Sequence, residues 1–279
     1  MFDRVSSQGT TRLVLLLAAA CTGTSRAKVV DGAWLLPRVL REVSAIASVD
    51  ERTVVCLQDE AAALYRFDLV TGGIAPTESF GVPGDYEGLA AVGSDWWALR
   101  AEGVLVHVRD VGSRLHVAAE HRLPGGHSDW EGLCWDAERG QLLAMPKVRL
   151  RDHGSDQRPI YAFDPQHGKG AEEPFLVFSR RALVEQCRKL GLIGADAELE
   201  IASSDLVVLP GRRELLLLSA VDAVLLRVGF DGVLLGGVRL DRKQLPKPEG
   251  ITLLPDGALL IASEGRGAGG GCLRRVPVP

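Results

Sequence analysis

The sequence predicts an all-β protein made of repeated small sheets, and three observations lead to that prediction. A short motif recurs, and the apolar residue that closes it returns at intervals of 43, 44, 73 and 45 residues. These apolar residues are Ile46, Leu89, Leu133, Leu206 and Ile251. Short runs rich in leucine and β-branched residues follow each motif, and glycine turns such as 230–232 and 255–257 separate them. Repeats of this length with about four antiparallel strands each predict a β-propeller.

Each repeat contains the same succession of strands. The predicted strands are 45–49, 53–57, 63–68 and 74–80; 89–92, 96–100, 104–109 and 116–123; 133–136, 142–145, 160–164 and 175–178; 206–209, 214–219, 224–230 and 233–240; and 251–254, 258–263 and 273–278. The fifth repeat lacks a fourth strand, while 34–40 reads as a strand outside any repeat. We therefore expect the N-terminal strand to complete the last blade, which also covers an edge that would favour aggregation.

The interval of 73 residues contains two insertions. Residues 149–158 form a polar excursion, and residues 179–194 have helical spacing that ends at a glycine. These insertions account for the surplus length, so the sequence predicts a five-bladed propeller with one short helix. A six-bladed propeller, in which the long interval holds two truncated blades, is the alternative.

The first 21 residues have the features of an export signal. Arg4 and Arg12 precede an apolar run at 13–20, which is too short to span a membrane and ends in small residues before Cys21. This ending resembles the lipobox of bacterial lipoproteins, so we expect Cys21 to carry lipid. The prediction divides the chain into a signal peptide at 1–21, a tether at 22–29 and one propeller domain at 30–279. Because Thr22 replaces the aspartate of inner-membrane retention, we expect an outer-membrane anchor, with a secreted periplasmic protein as the alternative.

Composition limits the partners of this protein. The formal net charge is −4, whereas a protein that binds nucleic acid needs a basic face. We therefore expect no nucleic acid, contact with the membrane only through the lipid, and a monomer.

The four remaining cysteines contain no C-x-x-C pair, which disfavours zinc, and the sequence leaves their disulfide state open. They are Cys56, Cys134, Cys187 and Cys272.

Acidic residues recur at the start of the strand that should line the central channel. Glu87, Glu131 and Glu249 lie at matching positions, Ser44 and Ser204 take the other two, and Asp205 follows Ser204. Carboxylates that converge on one mouth repel unless a cation lies between them. A set of oxygen ligands without His or Cys suits Ca²⁺. The sequence therefore predicts a Ca²⁺ site, with salt bridges from these glutamates to Lys147 or Arg100 as the alternative.

A second group of polar residues follows the second strand of each repeat and is expected near the same mouth. These residues are Asp59, Glu60, Glu102, Lys147, Ser219, Asp222 and Glu264. The alternative for each of them is an ordinary turn residue.

Several of these motifs together resemble the SdiA-regulated (YjiK-like) family. The resemblance rests on residues 198–206, 218–222 and 248–251 with 255–257 and 263–265, and on 85–89 and 130–133 with Lys147. It implies a five-bladed propeller with a Ca²⁺ site, ligands at Glu87, Glu131 and Glu249, and no established reaction. The chain departs from the family at Ala45, where glycine is usual, and at the serines that replace acids.

The sequence therefore favours a cell-envelope lipoprotein that binds Ca²⁺ at its channel mouth and works as a binding or scaffolding module for an unknown envelope ligand or protein. The alternative is a phytase-like, Ca²⁺-dependent hydrolase of a phosphoester or lactone, in which one of the three glutamates activates water. The chain contains no G-x-S-x-G and no H-E-x-x-H motif. Likeness to NHL-type propellers follows from the fold and says little about function.

Overall fold

The computed structural model describes residues 29–279, apart from 31, 76–77, 112–113, 125–128, 149, 151–152 and 267–269. The predicted signal peptide with Cys21, and the predicted tether before Val29, lie outside the described residues. The described chain forms five small antiparallel sheets in a ring, which is a five-bladed β-propeller with one short helix. The predicted fold class is confirmed, and the six-bladed alternative is not.

The strands follow the predicted order. The chain begins with β1 (Val29–Val30), β2 (Ala33–Leu35) and a 3-10 turn at Arg38–Leu40. Blade 1 contains β3 (Val43–Ser48), β4 (Thr53–Gln58), β5 (Ala63–Asp68) and β6 (Glu78–Ser79). Blade 2 contains β7 (Tyr86–Val92), β8 (Asp95–Arg100), β9 (Val104–Asp110) and β10 (Leu115–Arg122).

The long interval of the sequence holds one enlarged blade. Blade 3 contains β11 (Trp130–Asp136), β12 (Gln141–Pro146), β13 (Gln157–Asp164) and β14 (Lys169–Gly170), and β15 (Leu176–Ser179) pairs with the first half of β13. The helix α1 (Arg180–Lys189) follows β15 directly, and its first turn is capped where Ser179 Oγ accepts a hydrogen bond of 3.1 Å from the N–H of Ala182. The apolar face of α1 packs into the core shared by blades 3 and 4.

The last two blades complete the ring. Blade 4 contains β16 (Asp205–Val208), β17 (Glu214–Ser219), β18 (Val224–Gly229) and β19 (Leu234–Arg239). Blade 5 contains β20 (Lys247–Leu253), β21 (Leu259–Glu264) and β22 (Cys272–Val276), followed in space by β2 and β1. The N-terminal strand β2 pairs with β22, Trp34 opposite Leu273, so the predicted closure of the last blade is confirmed.

The innermost strands β3, β7, β11, β16 and β20 contact one another in a closed ring around the channel. Apolar side chains fill the spaces between neighbouring sheets, and this buried surface stabilises the ring. Cys56, Cys134, Cys187 and Cys272 are free and buried, as small apolar side chains often are. No helix within the described ranges is long and apolar enough to cross a membrane.

Candidate functional site at the channel mouth

The three predicted glutamates are the extra residues of β-bulges at the start of the innermost strands. In blade 2, Tyr86 pairs with Arg100 and Gly88 with Leu99, which leaves Glu87 unpaired between them. The registers of β11 and β20 skip Glu131 and Glu249 in the same way, and that of β3 skips Ser44. A bulge bends its strand and redirects a side chain. The bulges therefore set these residues at equivalent positions around one mouth of the channel.

The residue after each bulge needs to be small because neighbouring innermost strands lie very close together. A Cβ on Gly132 would lie 2.5 Å from Leu206 Cδ2, and a Cβ on Gly88 would lie 2.7 Å from Leu133 Cβ. A Cβ on Gly250 would lie 3.0 Å from the backbone of β3, at Ala45 Cα. The Glu-Gly pairs of the sequence thus combine a bulge with a close approach between blades.

Asp205 occupies this small-residue position in blade 4, and its carboxylate reaches the backbone of the neighbouring strands. It accepts hydrogen bonds from the N–H groups of Leu206 at 2.8 Å, Ile251 at 2.8 Å and Leu133 at 3.3 Å. Burial raises the pKa of Asp205, and the three N–H donors oppose that rise. The carboxylate therefore joins β16 to the strands on both sides of it, β11 and β20.

Glu131 is paired with a cation of its own blade. The Lys147 ammonium donates to Glu131 Oε1, and the glutamate side chain is almost completely buried. Burial raises the pKa of Glu131 to about 7, although the hydrogen bond and charge of Lys147 oppose the shift. From the sequence, a salt bridge between a channel glutamate and Lys147 was the alternative to the Ca²⁺ site. The side chains of Glu131 and Lys147 adopt that salt bridge.

A second lysine joins two acids in blade 5. Lys247 Nζ lies 2.9 Å from Glu249 Oε1 and 2.8 Å from Glu264 Oε1. Burial lowers the pKa of Lys247, but the hydrogen bonds and charges of these two glutamates together raise it by more, so the net shift is upward. Burial also raises the pKa of Glu264, against the effect of Lys247.

Glu87 differs from the other two glutamates because it has no hydrogen-bond or salt-bridge partner among the described residues. Burial raises its pKa to about 9, the nearby charges of Glu131, Asp85 and Glu249 add to the rise, and the charge of Lys147 opposes it. Without a cation in direct contact, this carboxyl group therefore favours its protonated form. It is an unpartnered acid within the same mouth.

The remaining predicted residues are the two serines that stand where other blades have glutamate, and the second group of polar residues. Ser44 Oγ donates to the carbonyl of Leu57 at 3.4 Å, and Ser204 Oγ accepts from the N–H of Ala220 at 3.2 Å. Asp59 is bonded to Gln58 Nε2 and to the N–H of Glu60. Burial raises the pKa of Asp59, and Lys247 is among the charges that act on it, which places it beside the mouth.

The other members of the second group have structural partners. Glu102 is paired with Arg100. Asp222 accepts from Ser219 Oγ at 2.7 Å and from the N–H groups of Glu200 and Ile201 at 3.0 and 2.8 Å. Asp222 thus holds the loop before β16, where Ile201 has a φ of 48°. Lys147 and Glu264 are the members of this group that pair with the channel glutamates or their lysine.

Sequence reasoning did not select Lys247 or Asp85 as site residues. Each stands two positions before a bulge glutamate, Glu249 and Glu87 respectively; Lys247 begins β20, and Asp85 directly precedes β7. Strand periodicity places residues two apart on the same side, so this spacing was a usable signal. Within the described ranges, no group of three or more His, Cys, Asp or Glu side chains is arranged to hold a metal ion. The Ca²⁺ site stays a prediction.

No protein-family model and no curated protein matches the chain, so the family resemblance also stays a prediction. Solved structures match by fold. The glutaminyl cyclase of Myxococcus xanthus is similar with a TM-score of 0.55 and 14% identity, over 88% of this chain and 97% of that chain. A chain of the mitotic checkpoint complex gives 0.47, with 11% identity over 99% of both chains. Hydrazine synthase of Kuenenia stuttgartiensis gives 0.45, with 11% identity over 86% of this chain and 58% of that chain. The first likeness supports the propeller fold alone, and the other two carry no argument.

Proposed function

We propose that this protein is a cell-envelope lipoprotein whose propeller binds a cationic ligand, or a cationic group of a partner protein, at the acidic channel mouth. One observation carries the proposal. Four glutamates, Glu87, Glu131, Glu249 and Glu264, share the mouth with two lysines, Lys147 and Lys247, so carboxyl groups outnumber ammonium groups by two. When these acids are ionised, the excess of negative charge attracts ligands of the opposite charge.

Ca²⁺ is part of the proposal as a cation for this mouth. Glu87, Glu131 and Glu249 are the carboxyl groups that would hold it, and bound Ca²⁺ would supply positive charge among them. The side chains present do not form a ligand set of that kind, because the two lysines already pair with Glu131 and Glu249. The proposal therefore requires that Ca²⁺ compete with these ammonium groups.

A thermal melt tests the proposed cation site. The protein lacking residues 1–21 is melted in EDTA and in increasing free Ca²⁺ at constant ionic strength. A ligand that binds only the folded state raises the melting temperature. In a domain of this size the rise is about 2–4 °C for each ~1 kcal/mol by which binding stabilises the folded state. Glu131→Gln is expected to abolish the rise, and Glu51→Gln, an exposed glutamate at the opposite end of β3, is expected to keep it. An equal rise in both variants would assign Ca²⁺ to another surface.

A second candidate function is acid–base catalysis, and one observation favours it. Glu131 and Glu87 lie at one mouth, and burial raises their pKa values to different extents, to about 7 and about 9. The first carboxyl group is suited to accept a proton and the second to donate one. The reaction class would be hydrolysis of a phosphoester or lactone, with Ca²⁺ as the predicted cofactor. Because a fold neighbour is described as a glutaminyl cyclase, the substrate panel also includes a peptide with N-terminal glutamine.

Turnover by the unmodified protein that disappears in both Glu131→Gln and Glu87→Gln would support the enzyme. No turnover across the panel, or turnover that both variants retain, would overturn it. The proposed lipid is tested separately by mass spectrometry of the mature N-terminus, with Cys21→Ser as the control. A diacylglyceryl mass on Cys21 would support the anchor, and an unmodified N-terminus would overturn it.

A further inference from the structure

Blades 2 and 3 have the same backbone arrangement around their bulge glutamates. Ala101 follows β8, and its N–H donates to the carbonyl of Asp85 at 2.8 Å. Lys147 follows β12, and its N–H donates to the carbonyl of Asp129 at 2.7 Å. Tyr86 pairs with Arg100 just as Trp130 pairs with Pro146. Ala101 and Lys147 are therefore equivalent positions, each beside the bulge glutamate of its own blade.

The two blades differ in what occupies this position. In blade 3 the side chain of Lys147 supplies an ammonium group to Glu131. In blade 2 the methyl group of Ala101 supplies none, and the adjacent Arg100 is paired with Glu102. Glu87 thus has no bonded cation from its own blade, and Lys147 of blade 3 acts on it only through its charge. Of the three bulge glutamates, Glu87 is partly exposed and has no bonded cation, whereas Glu131 and Glu249 are buried and paired with lysines.

We propose that Glu87 binds the primary ammonium group of a ligand, in the place beside Ala101 where blade 3 holds Lys147. This assignment rests on the proposed function of the mouth and names the chemistry of its ligand. The other two bulge glutamates are each paired with an alkylammonium group, Lys147 or Lys247. A primary ammonium is compact and carries three N–H donors, so it can reach a carboxyl group at the base of a bulge. Ca²⁺ needs six to eight oxygen ligands, whereas Glu87 offers one carboxyl group with Asp85 nearby.

The experiment uses ethylammonium as the probe and tetramethylammonium as the control, because the second cation has the same charge but no N–H donors. Binding is measured by saturation-transfer NMR on the probe at matched ionic strength. The unmodified protein is expected to saturate ethylammonium and not tetramethylammonium. Binding is measured at about pH 9, where the carboxyl group of Glu87 is partly ionised. Glu87→Gln is expected to weaken it by about tenfold or more, which is the size of one lost charge-assisted hydrogen bond.

Two further variants use the difference between the blades. Ala101→Lys supplies an internal ammonium beside Glu87, so it is expected to remove ethylammonium binding while Glu87 is still present. Lys147→Ala opens the equivalent position at Glu131, so it is expected to raise the number of bound ethylammonium ions from one to two. If Ala101→Lys does not fold, the comparison of Glu87→Gln with Lys147→Ala decides the question.

The failure of this assignment is distinguishable from failure of the proposed function. A melting response to Ca²⁺ without any saturation of ethylammonium would overturn the ammonium assignment and leave the mouth as a cation site. Equal binding of ethylammonium and tetramethylammonium would also overturn it, since charge alone would then explain the attraction. The absence of a response to either cation would overturn both proposals.

Discussion

The channel contains two kinds of buried carboxyl group, and the comparison between them separates structure from function. Asp205 lies at the small-residue position of blade 4 and directs its oxygens to the backbone of three strands. The glutamates of blades 2, 3 and 5 lie one position earlier, on bulges, and face other side chains or none. A shift of one residue along the strand therefore decides whether an acid holds the ring together or is presented at its mouth.

This difference predicts different costs of removal. Buried N–H groups that lose their acceptor bear the full desolvation penalty. Loss of Glu131 or Glu249 instead leaves a lysine that is partly exposed, and water can solvate its ammonium group. Stability should therefore depend mainly on Asp205, and ligand binding mainly on the bulge glutamates.

The largest expected effect is that of Asp205→Ala. The substitution leaves the N–H groups of Leu206, Ile251 and Leu133 without their acceptor in a site that water reaches poorly. We expect a loss of about 3 kcal/mol or more in the free energy of unfolding, measured by urea denaturation. Glu131→Gln leaves every backbone N–H group with its acceptor and frees the partly exposed Lys147 to water, so it should cost about 1 kcal/mol. Similar losses in the two variants would remove the distinction between the two kinds of acid.

The next effect concerns the close approach between blades 5 and 1. In Gly250→Ala the new methyl group would lie 3.0 Å from the backbone of Ala45 and Ile46, so β3 has to move. We expect a loss of about 1–3 kcal/mol in the free energy of unfolding. Gly194→Ala is the matched control, because a Cβ there meets nothing within 4 Å and its φ is not in the left-handed region. If both variants unfold at the same urea concentration, the glycine of the motif is not required by packing.

The sequence predicted the parts of this arrangement that repeat. The period, the strand order and the Glu-Gly motif carried enough information for five blades, for the closure of the last blade by the N-terminal strand, and for the positions of Glu87, Glu131 and Glu249 near the channel. The helix at Arg180–Lys189 followed from its spacing and from Ser179 as N-cap. The strands, the Glu-Gly motif and the helix are each encoded by one short stretch of chain. The closure of the last blade followed from counting the strands of each repeat.

Departures from the repeat could not be predicted in the same way. Asp205 was grouped with the acids of the mouth because the motif reads Ser-Asp where other copies read Glu-Gly. The sequence does not show whether a carboxyl group at this point of the strand binds the backbone of neighbouring strands or faces the channel mouth. The pairing of Lys147 with Glu131 depends on side-chain conformation and burial. The missing partner of Glu87 became visible only when the registers of blades 2 and 3 showed that Ala101 is equivalent to Lys147.

A moderate effect is expected for Lys147→Ala, and it should depend on pH. Removing the ammonium leaves the buried carboxyl group of Glu131 without its cation, so the pKa of this group should rise above about 7. The folded state then holds the proton more tightly than the unfolded state, and stability should fall as pH rises. Because Lys147 is partly exposed, we expect a loss of about 1 kcal/mol at pH 8 and almost none at pH 4, measured by urea denaturation. The double variant Lys147→Ala, Glu131→Gln should lose the pH dependence, and a loss that is equal at both pH values would assign the cost to packing instead.

The smallest expected effect is a gain in stability, and it isolates Glu87. Its pKa is about 9 in the folded protein and near 4.5 for an unperturbed glutamate, so the folded state binds a proton that the unfolded state releases between these values. The stability that this proton contributes is complete below about pH 4.5 and is lost as pH rises through about 9. Glu87→Gln keeps a neutral side chain at every pH and should therefore melt about 2–4 °C higher than the unmodified protein at pH 8, with no difference at pH 4. Glu51→Gln should melt like the unmodified protein at both values, because this side chain is exposed at the far end of β3. A melting temperature for Glu87→Gln that follows that of the unmodified protein at every pH would mean that Glu87 already has a cation beside it, and blades 2 and 3 would then be alike.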